Sequence, residues 1–515
     1  MINILFSKQF LLMIFIFKIN LISNEYISIP FKIYKSSIPD KSATEKFIKS
    51  CLNNNIYLPI QVGSQKIISK ISTLEFELLM RNSNKFPFEE LTSDFSKESS
   101  STFTIISEKG DNHFPNSKYA TDKFNLCVNY DINIQKCKYF KVCENIKFIY
   151  TEDIEIEDEE EKEKEKEKEK EKKSQTKKSI YLDIGLSFKS YYNTNTESKS
   201  LLTNLVKNNY IKGNNWFIYF FNKEENSDNN NEETDDGIIV FGVEPTDFFG
   251  KKYSKNNVLS FNGINTNYDY KNNWSLVFQE VSQKTLKQDN KDVSIQKNLQ
   301  GVINFNYDVI VGNEKYKDII EKTFFFKYTA QGICNKYLAN NKFYYFSCNG
   351  ISLSFNEIKE NFPSLYFKHE TGYTFELTPN DLFVQIGQDF YFLVVFNKNN
   401  PTSSFLLGNI FLKKYLLSFD IKSKKILFYK ENETKGQNNG EYIHDNPIHW
   451  YNSNKMIVIL IMMIVLFCIG GFYFGKKLYY HRKQKANELL DTFDYTSTSE
   501  SKINKFNLEM NSIIK

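Results

Sequence analysis

The chain has five histidines in 515 residues, and three of them, His444, His449 and His481, fall after residue 430. A Ser/His/Asp or Cys/His nucleophilic site would therefore need His113 or His369, and neither sits in a motif of that kind. No GxGxxG, P-loop or HExxH string occurs, so the signatures of dinucleotide sites, phosphate cradles and zinc peptidases are missing. There is no CxxC pair, and no histidine follows the cysteines at ligand distance, so no metal and no cofactor is expected. The acids of KEENSDNNNEETDD (223–236) lack the central glycine and apolar frame of a calcium loop. Charge of one sign is also lacking. The net charge of +4 is spread along the chain, which argues against a nucleic-acid groove.

Aromatic residues, in contrast, are abundant, with Phe 47 and Tyr 32, and they favour strands. Short apolar runs separated by polar turns (YISIPFKIY, IYLPIQVG, KIISKIS, STFTII) read as an all-β lobe over 28–262. It is interrupted by an alternating acid-base insertion at 151–178 and a polar insertion at 223–236 that reads as an enlarged hairpin loop. A second β-rich lobe spans 263–430, followed by a polar stalk at 431–455.

Residues 456–475, MIVILIMMIVLFCIGGFYFG, carry no charge over 20 positions, enough at helical rise to cross a hydrocarbon core of roughly 30 Å. Trp450 and Tyr451 precede this run, and Lys476, Lys477, Arg482, Lys483 and Lys485 follow it. The expectation is a single C-terminal transmembrane helix, type I, with 476–515 cytosolic and the large N-terminal part lumenal or extracellular. Lys8, the apolar run Phe10–Phe17 and Ser23 read as a signal peptide over 1–23. Six cysteines, Cys51, Cys127, Cys137, Cys143, Cys334 and Cys348, lie in the exported part. An even exported count favours three disulfides. Cys334 and Cys348, close together and apart from the rest, are expected to pair; the connectivity of the other four stays open. Asn273-Trp-Ser and Asn432-Glu-Thr are glycosylation sequons.

The stretch 405–430, FLLGNIFLKKYLLSFDIKSKKILFYK, places an apolar-apolar-Gly turn, a helical turn and a closing ribbon in one order. With Leu407, Gly408, Phe411, Leu412, Tyr415, Phe419 and Asp420, it resembles the C-terminal end of the pepsin-like aspartic peptidases. Further landmarks extend the resemblance over about 28–430. They are Ser99–Phe103, Tyr119–Phe124, Asp183–Leu186, a helix over Leu201–Lys212, the Gly237–Gly242 strand and Trp274-Ser-Leu. The resemblance implies an all-β, bilobal double β-barrel and, in active members, two carboxylates about 3 Å apart sharing one proton. Each would sit in an Asp-Thr/Ser-Gly turn.

Where the resemblance places that dyad, this chain has other residues. Residues 60–80 put Ser72 at the first aspartate, Thr73 at the threonine and Leu74 at the glycine; residues 301–322 put Asn304 at the second aspartate and Asn306 at its glycine. Ser107 falls where the family keeps its flap tyrosine. A serine and a carboxamide contain no general base, so water activation is lost. Glu75, Glu77, Asp308 and Glu321 lie nearby in sequence and read as surface charges. The chain thus looks like a membrane-anchored pseudopeptidase whose interlobe cleft could bind an extended peptide or protein. The alternatives are an active membrane-bound aspartic endopeptidase with an atypical dyad and a purely structural surface protein.

Overall fold

A computed structural model of the chain describes residues 26–33, 51–52, 56–73, 78–83, 95–107, 117–132, 134–151, 179–187, 200–221, 235–265, 270, 272–284, 292–339, 341–399, 404–432, 475–485 and 507–509. The chain divides after Glu441 into two units. The first holds two extended sheets of 13 and 11 strands, so the described fold is mostly β. Alternation along the strands explains why. Ile56–Val62 buries every second side chain, with Leu58 and Ile60 inside and Gln61 outside.

Both lobes contain the same three-strand device. In the first lobe the strand Gln65–Ser72 runs parallel to Ser179–Gly185, with Ser72 opposite Gly185, and Leu78–Ser83 flanks Ser179–Gly185 antiparallel on its other side. In the second lobe Asp292–Ile303 runs parallel to Phe405–Leu407, with Ile303 opposite Leu407. Ile310–Asn313 then meets Phe405–Leu407 antiparallel. Gly408, which ends that central strand, has no substitute: a Cβ there would lie 2.1 Å from the Val309 carbonyl oxygen and 2.4 Å from that of Tyr307.

The lobes share a sheet. Its order is Tyr253–Asn262, Lys425–Glu431, Leu417–Asp420, Asn215–Phe220, Gly237–Phe241 and Ile27–Ile33. The closing ribbon of the second lobe therefore completes a sheet built by the first, with Phe419 opposite Trp216 and their rings stacked at 4.1 Å. Trp274 and Phe305 both pack edge-on into this pair, against Phe419 and Trp216 respectively. The lobe boundary at 262/263 needs one amendment. Cys51 packs in a cluster with Val302, Val309 and Val311, and its carbonyl accepts the Asp308 N–H at 2.9 Å.

The helix expected over Leu201–Lys212 is shorter, Leu201–Lys207. Asn208 caps it, and Asn209 takes a left-handed φ of 58° that turns the chain away. The signal-like segment 1–23, most of the charged insertion (152–178), 222–234 of the polar insertion and 456–474 of the apolar run lie outside the described residues. Among the described residues no helix is long and apolar enough to cross a membrane; 475–485, just after the apolar run, is helical.

Candidate functional site

The two repeated devices end at one place. Ser72 and Thr73 close the Gln65–Ser72 strand, Asn304 follows Asp292–Ile303, and all three are buried. The Thr73 hydroxyl crosses between lobes and donates to the Ile303 carbonyl at 2.7 Å. The Asn273 carboxamide, 1% exposed, donates to the Thr73 carbonyl at 3.3 Å. Trp274 Nε1 donates to the Leu186 carbonyl at 2.8 Å. The Leu186 N–H in turn donates to Ser72 O, and the Ile303 N–H to Trp274 O. The segment 273–274 therefore ties the first-lobe strand ends to the second lobe by direct hydrogen bonds.

Within the second turn, Asn304 Oδ1 accepts the Asn306 N–H at 2.8 Å, and the Asn304 N–H donates to Leu407 O at 3.0 Å. The carboxamide oxygen is thus engaged by its own loop, a local closure that Asn and Asp side chains favour. Phe305 is fully buried, and burial raises the pKa of the Tyr307 phenol next along the loop. No carboxylate belongs to either described strand end. Leu74, Glu75 and Glu77 lie outside the described residues.

Asp308 Oδ1 accepts from Asn409 Nδ2 at 2.6 Å at the start of the Asn409–Lys414 helix. Glu321 is paired with Lys336 at 2.6 Å. Neither acid belongs to the strand ends joined by the Thr73–Ile303 bond. His369 is a buried structural residue. Its Nδ1 accepts the Thr371 N–H at 3.1 Å, its ring lies 4.3 Å from Phe261, and burial lowers its pKa to about 4. His113 lies outside the described residues.

In the hairpin where the flap is expected, Thr104–Ser107 pairs with Lys118–Asp131, and 108–116 lie outside the described residues. The register sets Tyr119 directly opposite Ser107. A tyrosine therefore stands at this level of the hairpin on the other strand, and counting along one strand missed it. Below it, the loop at Ser99–Phe103 meets the Tyr119–Phe124 stretch through Asp122, whose buried carboxylate accepts from Ser100 Oγ, Thr102 Oγ1 and the Lys123 N–H.

Two expectations need correction. Cys334 pairs with Cys348, and Cys127 with Cys137, but among the described residues there is no third disulfide. Cys51 and Cys143 stay reduced, because Cys51 lies in the second-lobe valine cluster whereas Cys143 stands opposite Phe124 in the first lobe. Asn273 is no surface sequon, since its amide is the buried interlobe donor described above. Asn432, the other sequon, ends the Lys425–Glu431 ribbon and donates to Lys251 O.

Residues 319–430 match the family model described as the xylanase inhibitor C-terminal domain. That domain belongs to the pepsin-like aspartic peptidase family. The matched segment runs from the Glu314–Ile320 helix through the closing ribbon, and so takes in both the Gly408 turn and the strands that enter the shared sheet. No curated protein matches the chain.

Proposed function

We propose that the chain is a membrane-anchored aspartic-peptidase-like protein that does not cleave, and that holds an extended peptide or a protein partner between its lobes. The observation that carries this reading is the Thr73–Ile303 bond with the residues beside it. The two strand ends that this bond joins carry a serine and an asparagine. A hydroxyl and a carboxamide hold no proton-accepting pair at physiological pH, so a water between them would not be activated. Of the four nearby acids, the two among the described residues, Asp308 and Glu321, are engaged by Asn409 and Lys336. The matched family is named for inhibitors, proteins that act by binding, and that agrees with a non-catalytic role. Binding by strand pairing with side-chain pockets needs no dyad.

Anchoring rests on the uncharged run 456–475 and the Lys/Arg cluster after it, which together favour a lumenal or extracellular first unit and a cytosolic tail.

The test uses the full chain in detergent. Unfolded casein is incubated with it between acidic and neutral pH, with and without a pepstatin-type inhibitor, and the same chain is titrated with fluorescent casein peptides. No cleavage together with saturable peptide binding is the expected result. Inhibitor-sensitive cleavage would overturn the non-catalytic reading, and absence of peptide binding would overturn the cleft ligand. Protease added to sealed vesicles that expose their cytosolic face should trim the tail alone; digestion of the first unit would reverse the topology.

A further inference from the structure

Neighbouring residues of one strand in the shared sheet look in opposite directions. Trp216 packs edge-on against Phe305, beside the Asn304 turn, whereas Phe217 belongs to a separate apolar cluster on the other face, with Cys127, Tyr130, Tyr253 and Tyr429. That second face, turned away from the floor between the lobes, carries two features. One is the root of the stalk. Glu431 stands opposite Tyr253, accepts its hydroxyl at 3.3 Å and pairs with Lys252 at 3.0 Å. Asn432 is held beside it, since its N–H donates to Lys252 O at 3.0 Å and its Nδ2 to Lys251 O at 2.7 Å. The chain therefore leaves the sheet from a fixed point on this face.

The other feature is the hairpin of Lys118–Asp131 and Lys136–Thr151. Its register sets Phe140 opposite Cys127 and Val142 opposite Asn125, so both project on the face to which Cys127 belongs. They are open to solvent, Phe140 at 62% and Val142 at 52%, and Ile134 at the turn is 63% exposed. The Cys127–Cys137 disulfide ties the two strands together just behind that turn. Most nearby charges are engaged within the chain: Lys141 lies over the Tyr210 ring, Glu144 pairs with Lys123, and Lys138 with Asp131. What the hairpin offers outward is apolar, with the exposed Lys136 at its margin.

We propose that Ile134, Phe140 and Val142 dip into the lipid surface of the bilayer in which the chain is itself anchored, so that the peptide-holding side faces away from that bilayer. The inference rests on the anchoring reading above. The stalk selects lipid as the occupant. From Asn432 to Met456 there are 24 peptide steps, which reach at most about 85 Å at full extension, so an anchored chain keeps this face within that distance of lipid at all times. A tether of that reach presents the hairpin at roughly millimolar effective concentration, which makes a contact through three apolar side chains sufficient where it would be weak for a free protein. Lys136 can lay its stem along them and keep its ammonium among the headgroups.

The test places the full chain, one copy per nanodisc, in phosphatidylcholine that carries a diazirine on an acyl chain, and reads photolabelled peptides by mass spectrometry. Label in 456–475 tests the anchor and label in 134–142 tests the docking, so the two readings fail separately. Label in both is the expected result. Phe140→Asp with Val142→Asp should lower the label in 134–142 about tenfold and leave that in 456–475 unchanged, whereas Phe140→Leu should keep both. Thermal melts show that the variants are folded. Label in 456–475 with none in 134–142 overturns the docking, as does label in 134–142 that the double variant does not move. No label in 456–475 overturns the anchor and the docking with it. Protection of 134–142 from hydrogen exchange that appears only with two copies per disc would assign the face to self-association and overturn the proposal as well.

Discussion

Thr73 and Ile303 stand 230 positions apart, and the threonine hydroxyl donates to the isoleucine carbonyl over 2.7 Å inside the protein. The bond is one-sided. At the corresponding position of the second turn stands Phe305, which has no hydroxyl to return and packs against Trp216. The floor between the lobes is therefore polar on one side and aromatic on the other, and Asn273 reinforces the polar side by holding the Thr73 carbonyl.

Removing that hydroxyl should loosen the lobes. Thr73→Val keeps the shape but leaves the Ile303 carbonyl buried without its donor, at a cost of about 1–3 kcal/mol. Thr73→Ser keeps the donor and should cost less than half as much. Urea denaturation of the three chains measures both, and equal stability of the valine and serine variants would remove the bond from the account of interlobe stability.

Asn304→Asp is isosteric, and its carboxylate can still accept the Asn306 N–H. Asn304 is 1% exposed, so the new acid is desolvated and its folded pKa rises above the unfolded value of ~3.9. A raised carboxylate pKa penalises the ionised folded state, and the penalty grows as pH rises from about 4 towards neutrality. The variant should match the parent near pH 4 and be less stable by roughly 1–3 kcal/mol at pH 7. Melting temperatures at the two pH values decide; a variant as stable as the parent at pH 7 would show that residue 304 reaches water.

What the sequence disclosed of the fold was local chemistry. Gly408 betrays its turn because two carbonyls crowd it, and Leu417–Asp420 with Lys425–Glu431 betrays a ribbon by alternation. The site was less legible because its geometry is made by contacts between distant segments. Asn273 reads as a sequon until the lobes close over it, and Tyr119 is found opposite Ser107 only once the hairpin register is known. Cysteine parity suggested a third bridge, but burial in separate cores keeps Cys51 and Cys143 apart. Insertions such as 152–178 also shift any count made along the chain.

His369 should give the protein a histidine-dependent acid sensitivity. Its folded pKa of about 4 lies below the unfolded ~6.5, so the unfolded chain binds the extra proton first. Stability from the neutral imidazole is fully present above pH 6.5 and falls as pH drops towards 4, by up to ~3 kcal/mol. His369→Asn can still accept the Thr371 N–H and should flatten this part of the pH profile. Denaturation at pH 7, 5.5 and 4 compares the slopes, and identical slopes would mean that the ring already titrates in the folded protein.

Passage through a glycosylating secretory pathway should leave Asn273 bare in the folded product, since a glycan on the nitrogen that donates to Thr73 O would hold the lobes apart. Glycopeptide mass spectrometry of the secreted or membrane fraction reads this directly. A glycan on Asn273 in folded material would place residues 273–274 on the surface and dissolve the interlobe tie.

The thiol pattern separates two disulfides from three. With Cys127–Cys137 and Cys334–Cys348 closed, non-reducing digestion should yield only those two bridged peptides from the first unit. Cys143 is buried and its thiol is pushed up to about 12 by that burial, so thiolate, the reactive form, is scarce at pH 8. Cys51 is buried as well. Iodoacetamide should therefore leave both unlabelled in the native chain and label both after unfolding in guanidinium without reductant. Labelling that needs reductant would mean that Cys51 and Cys143 are bridged in solution, and the separation of the valine cluster around Cys51 from the strand pair around Cys143 would have to be given up.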